Sequence, residues 1–197
     1  IFLIISICIK IETRGPILYK QDRVGKNWKI FKLYKFRSMF INSDKKGLIT
    51  VGNNDARITK VGKFIRRYKL DELPQLINVL IGNMSIVGPR PEVEKYVFKY
   101  TVEQKKVLSV KPGITDYASI VYKNENRELS EQKNPELYYI THIIPKKIEL
   151  NNIFIQEPTL INYFKIIFLT LKEIIFYFSM FFCKQNILFI RYRSHLP

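Results

Sequence analysis

The sequence predicts a mainly helical α+β fold with one small β-hairpin, interfacial amphipathic helices and a truncated N-terminal helix that begins inside a membrane. Three observations carry this. Two runs rich in β-branched and aromatic residues, ILYKQDRV and WKIFKLYKFRSM, flank the turn-forming Gly25-Lys26-Asn27. Apolar residues then recur at helical spacing between Val61 and Leu80. Ile, Leu and Phe dominate both ends, as IFLIISICI and again from Thr159 to Ile190. A chain of 197 residues buries a sizeable core in one domain, with or without attachments.

Composition narrows the partners. Lys and Arg number 33 against 17 acids, a net charge of +16, which points to nucleic acid, an acidic membrane surface or phosphorylated small molecules. A hydrophobic content of 47% excludes a disordered chain. Cys8 and Cys183 lie in apolar runs with no CxxC, and His142 and His195 stand far apart, so neither a zinc site nor a disulfide framework is expected. A reducing compartment fits.

Taken in order, the nine apolar residues before Lys10 are too few to span a bilayer and lack the features of a signal peptide. They show no polar face. They read as the end of a membrane-embedded helix in a chain truncated at its N-terminus, with Lys10, Glu12 and Arg14 at the water interface; a buried element of a soluble core is the alternative. In the hairpin, Lys32, Lys35 and Arg37 alternate with Phe31, Tyr34 and Phe36, a pattern shared by nucleic-acid platforms, phosphate-binding sheet faces and plain amphipathic strands. Residues 40–55 have the Asn, Asp, Ser and Gly content of a surface loop. Thr59 caps a helix with Val61, Phe64, Ile65 and Tyr68 on one face and Lys60, Lys63, Arg66 and Arg67 on the other. That helix runs toward Asp71, so Arg66 either reaches the same pocket or is a solvated charge.

The segment LDELPQLINVLIGNMSIVGPRP, from Leu70 to Pro91, holds the densest chemistry. Asp71 is a good N-cap, Pro74 is tolerated in a first turn, and Leu73, Leu76, Ile77 and Leu80 recur at helix spacing before Gly82. Two acids thus stand at a helix start, where free N–H groups and the helix dipole keep carboxylates ionised and also favour phosphate. Prolines on both sides fix the backbone of Arg90. The plainer alternative is that Asp71 only caps and Glu72 only decorates the first turn. Beyond the corner, residues 92–110 read as one helix stopped by Lys111-Pro112-Gly113, ITDYASIVY as a strand or irregular crossing, and Lys123 to Pro135 as polar loop. Glu136 opens a helix that breaks at Pro145 and resumes as KKIELNNIFIQ. From Thr159 onward, Lys165, Lys172, Glu173 and Lys184 punctuate the apolar run too often for a clean transmembrane helix. An amphipathic helix in the bilayer interface fits better, with a packed terminal helix as the alternative.

Together GPILYKQDRVG, FKLYKFRSM, DARITKVGKFIRRYKLDELPQLINVLIGNMSIVGPRP and KPGIT resemble the bacterial sugar transferases, the monotopic polyprenyl-phosphate phosphoglycosyl transferases, and the likeness runs nearly end to end. The resemblance implies a remnant of a re-entrant membrane helix at 1–14, a catalytic domain at 15–158 and a membrane-interface segment at 159–197. It implies transfer of a phosphosugar from a UDP-sugar to undecaprenyl phosphate with Mg²⁺, at the cytoplasmic face of the bacterial inner membrane. The product would start a capsule, exopolysaccharide, O-antigen or glycoprotein glycan, and no nucleic-acid partner is expected. By the same resemblance Asp71 is the nucleophile, and Asp71 and Glu72 are the metal ligands, with Glu72 holding the ion or supporting proton handling. Lys35, Arg66 and Arg90 match basic positions around the phosphates, and Glu136 matches an acidic position near the site. The sequence departs from the family pattern at Asn83, at Asp116 and around Lys123, which bears on sugar or nucleotide specificity more than on the nucleophile. An inactive membrane-associated scaffold and a basic nucleic-acid-binding module are the competing readings.

Overall fold

A computed structural model describes residues 1–47, 49–52 and 55–193, with side chains described except at 45, 46 and 177–193. Helix α1 (Phe2–Glu12) inserts Ile5 and Ile9 against Phe36 and Ile65 and leaves Phe2, Leu3, Ile4, Ile7 and Ile11 exposed. Glu12 then caps the next helix from a distance, accepting from the Lys60 and Val61 N–H groups. The hairpin forms as expected. Strands β1 (Leu18–Val24) and β2 (Ile30–Phe36) pair antiparallel in register from Leu18 with Phe36 to Val24 with Ile30, and the turn places Asn27 and Trp28 at positive φ.

Helix α2 (Lys60–Arg67) starts where Thr59 predicts, its hydroxyl accepting from the Gly62 N–H. Only part of its apolar face is internal: Ile65 and Tyr68 are buried, whereas Phe64 is exposed. The expected helix start at Asp71 is corrected. Lys69, at φ 57°, ends α2, and Leu70–Glu72 form a single 3₁₀ turn in which Asp71 caps nothing. Helix α3 (Gln75–Leu80) follows Pro74, and its orientation is inverted. Gln75 and Asn78 are buried while Leu76, Ile77, Leu80 and Ile81 face outward. Gly82, at φ 82°, closes it as expected.

Asn78 explains the inversion. One edge of β2 pairs with β1, and the Asn78 carboxamide serves the other edge, accepting from the Tyr34 N–H at 3.0 Å and donating to the Lys32 carbonyl at 2.8 Å. It acts as a one-residue substitute strand. The turn carrying Asp71 and Glu72, just before α3, is thereby fixed beside β2.

Strands β3 (Ser85–Val87) and β4 (Gly113–Thr115) form a short parallel pair. They approach so closely that a Cβ on Gly113 would lie 2.1 Å from the Gly88 nitrogen. Between them, α4 (Glu94–Val97) is not the long helix expected over 92–110. Thr101 and Gln104 form a reciprocal capping box that ends one segment and begins a 3₁₀ helix over Gln104–Ser109. Two further expectations are corrected. Residues Tyr117–Val121 form helix α5, capped by Asp116, and Glu125–Ser130 within the expected polar loop form α6, anchored by fully buried Leu129. Pro145 breaks nothing: α7 (Pro135–Tyr138) passes through a π-helical turn at Tyr139–Ile143 into α8 (Ile144–Gln156), where the proline occupies the first turn and lacks only a dispensable N–H.

Helix α9 (Leu160–Arg193) lies along β3, β4 and α5. Ile166 is fully buried, Tyr163 bonds Ser85 and Thr170 bonds Thr115, while Leu160, Ile161, Phe164, Phe168, Leu171 and Ile175 are exposed. Among the described residues no helix is long and apolar enough to cross a membrane. The expected side-chain pattern beyond Phe176, including Lys184, lies outside the described side chains.

Candidate active site

Three elements bring Lys35, Asp71, Glu72 and Arg90 together: strand β2, the 3₁₀ turn beside it, and the Pro-Arg-Pro corner after β3. Glu72 sits at the centre. One oxygen of its carboxylate accepts from the Lys35 ammonium at 2.9 Å and also from Arg90, and the other accepts from Arg90 at 3.1 Å, so the guanidinium grips it with both Nη atoms. Burial pushes the Glu72 carboxyl up, but the charges of Arg90 and Lys35 outweigh that and hold it well below the usual carboxylate range. Burial pulls the Lys35 ammonium down to about 8 against the opposing attraction of Glu72.

Asp71 differs from its neighbour. It is 5% exposed, and no donor among the described residues reaches its carboxylate. Burial, then the charge of Glu72, push its pKa up, with Lys35, Arg66 and Lys69 countering from further off. Its oxygens are not sealed from solvent, so the carboxylate keeps an open edge through which a ligand can reach it.

The other expected site residues divide. Arg66 acts on Asp71 through its charge while its guanidinium donates to Thr50 at 3.1 Å, a loop contact rather than a bond to the cluster. Glu136 is not brought to the cluster; it is half exposed and accepts from Lys95 and from the Tyr96 hydroxyl. Of the hairpin cations, Lys32 pairs with Asp22 at the surface and Arg37 donates to the carbonyls of Thr13 and Arg14, so Lys35 alone of the three joins the site. Two contributors are not evident from sequence reading. Asn78 registers the turn against β2, and its signal was a second amide, three residues after Gln75, inside an apolar helical run. Asp116 accepts from the Arg90 N–H at 3.0 Å, and its signal was an Asx residue three before Ser119, a helix-cap spacing.

A metal fits the donor set in one manner. Mg²⁺ binds oxygen and is commonly held by one or two carboxylates with substrate phosphates and water completing the octahedron. Asp71 and Glu72 supply such a pair, and among the described residues no cluster of three His, Cys, Asp or Glu provides a closed protein cage.

Similarity to known proteins gives the family of the chain. The sequence model of the family described as "Bacterial sugar transferase" matches residues 1–177. A Bacillus subtilis (strain 168) protein named "Putative undecaprenyl-phosphate N-acetylgalactosaminyl 1-phosphate transferase" is 52% identical over 100 residues, covering 51% of this chain and 56% of that protein. The UDP-N-acetylgalactosamine-undecaprenyl-phosphate N-acetylgalactosaminephosphotransferase of Aeromonas hydrophila is 42% identical over 125 residues, 62% of this chain and 30% of its own length. The UDP-glucose:undecaprenyl-phosphate glucose-1-phosphate transferase of Escherichia coli (strain K12) is 38% identical over 174 residues, 84% of this chain and 34% of its own length. The chain therefore spans roughly a third to a half of these relatives.

Proposed function

The chain belongs to the bacterial sugar transferase family, and on that premise we propose that it transfers a phosphosugar from a UDP-sugar to undecaprenyl phosphate, initiating polysaccharide synthesis. The observation that carries this reading is the buried Asp71 carboxylate, unbonded beside a Glu72 clamped between two cations. In the first half-reaction an Asp71 oxygen bonds to the phosphorus next to the sugar while the phosphoanhydride bond to UMP breaks. In the second, an oxygen of undecaprenyl phosphate attacks the same phosphorus and the acyl phosphate bond breaks, restoring the Asp71 carboxylate. Lys35 and Arg90 face the incoming phosphates with their charges; Arg90 offers a planar fork suited to phosphate oxygens. When bound at Asp71 and Glu72, Mg²⁺ supplies charge relief on the diphosphate.

The outward apolar faces support a location at the cytoplasmic face of the inner membrane. Leu76, Ile77, Leu80 and Ile81 on α3, Ile86 on β3 and Leu160, Phe164 and Phe168 on α9 are exposed, and α3 and α9 both pack on β3. Exposed apolar side chains on these neighbouring elements suit the bilayer interface, which would bring the lipid substrate to the chain.

The test is to incubate the chain in nanodiscs with Mg²⁺ and radiolabelled UDP-sugars, and to look for label retained on protein and released by undecaprenyl phosphate. Retention lost in Asp71→Asn is the expected result. No retention with any UDP-sugar, or undiminished retention in Asp71→Asn, overturns the mechanism.

A further inference from the structure

The Pro89-Arg90-Pro91 corner has a single backbone N–H. Neither proline can donate, so the Arg90 amide is the only main-chain donor between Gly88 and Glu92. Every other main-chain contact of the corner runs to a neighbouring segment: Gly88 N–H to the Thr115 carbonyl, Gly113 N–H to the Pro89 carbonyl, the Arg23 guanidinium to the Pro91 carbonyl and Val24 N–H to the Glu92 carbonyl. The Arg90 N–H lies two residues beyond Gly88, past the end of the β3–β4 pairing at Val87 and Thr115. A backbone carbonyl does not meet it there. The Asp116 side chain does, at 3.0 Å, while its other oxygen accepts from the Ser119 N–H at 2.6 Å and starts α5. Asp116 is only 3% exposed.

We infer that Asp116 is a positioning residue for Arg90, extending the β3–β4 ladder by one side-chain rung so that the guanidinium meets Glu72 and the substrate phosphates at a fixed angle. Two carboxylate oxygens serve two amides. A serine at 116 keeps the cap on Ser119 and loses the rung, because one short hydroxyl cannot reach both. An asparagine offers one oxygen for two donors and is intermediate. The anchor stands on geometry alone, and its effect on substrate rests on the phosphate-binding reading of Arg90 given above.

The test has two arms on the full chain in nanodiscs. In the first, arginine is labelled selectively with ¹⁵N, the Arg90 resonance is assigned by its absence in Arg90→Lys, and amide hydrogen exchange is followed. Asp116→Ser is expected to speed exchange at Arg90 by about tenfold or more while the Arg37 amide is unchanged. Unchanged exchange at Arg90 overturns the inference, as does acceleration at every arginine, which reports general loosening. In the second arm, Asp116→Ser is expected to raise KM for the UDP-sugar by about tenfold with a smaller change in kcat, and to add less than about twofold in an Arg90→Lys background. Full additivity overturns the positioning role. If Arg90→Lys itself leaves KM unchanged, the phosphate-binding reading of Arg90 fails, and the exchange arm still decides the anchor.

Discussion

Arg57 and Arg90 are both paired with a nearby carboxylate, yet one guanidinium is saturated and the other is not. Arg57 directs its five N–H groups at Asp55 and at the carbonyls of Ser43, Gly47 and Ile49, tying the 43–57 loop around itself. Arg90 donates only to Glu72 among the described residues and keeps the remaining hydrogens of its fork uncommitted at a side chain 31% exposed. The difference separates fastening from recognition. A charge whose donors are all matched contributes to the fold and has nothing left to offer a ligand, whereas one that is clamped by a single partner is held ready for a second anion.

The comparison makes opposite demands on the same substitution. Arg90→Lys is expected to lower kcat/KM by about a hundredfold, mainly through KM, since a point charge replaces a bidentate fork, with little change in thermal unfolding. Equal loss of stability and activity would break the distinction. Arg57→Lys is expected to destabilise the fold by about 1–2 kcal/mol, measured by unfolding in detergent, because the part-buried Ser43 and Ile49 carbonyls lose their donors, while turnover per folded molecule stays within about twofold. A smaller contrast comes from pH. The hydrogen bond from Arg57 holds the Asp55 carboxyl below its ordinary value, against burial. Asp55 is therefore ionised more readily in the folded chain, and its stabilisation is fully present above the ordinary carboxylate range and lost as pH falls through the lower folded value. Protection of the Gly52 and Arg57 amides, taken relative to the intrinsic exchange rate at each pH, should fall on acidification, and in Asp55→Asn it should already be low at neutral pH.

Local signals in the sequence were reliable where one residue sufficed to impose them. Thr59 capped its helix, Gly25-Lys26-Asn27 turned the hairpin, and Gly82 and Pro112-Gly113 stopped their segments where expected. The Thr101-x-x-Gln104 capping box and the Asp116 cap were equally local, but the apolar repeat of 92–110 and the β-branched look of ITDYASIVY overrode them. The inverted helix α3 was not legible at all. Its apolar residues have the period of a core helix, and only the tertiary role of Asn78 on β2 turns them outward. In the site, Asp71, Glu72, Lys35 and Arg90 were readable through resemblance to a family, and the structure joins the last three by direct bonds. Glu136 was also assigned through the resemblance, which does not reveal that Lys95 and Tyr96 occupy it.

The pairing of β3 with β4 also bears on when the site comes into being during folding. The hairpin that carries Lys35 closes across a turn of a few residues, but the ladder that carries Arg90 joins Ser85 to Gly113 and encloses a loop several times longer. Loop closure over such a span is entropically costlier and slower than a hairpin turn. The difference in loop closure predicts that helices and hairpin assemble first and that Arg90 meets Glu72 afterwards, so a refolding chain should regain its far-ultraviolet circular dichroism before it regains turnover. Simultaneous recovery would show instead that the corner is already in place when the hairpin zips.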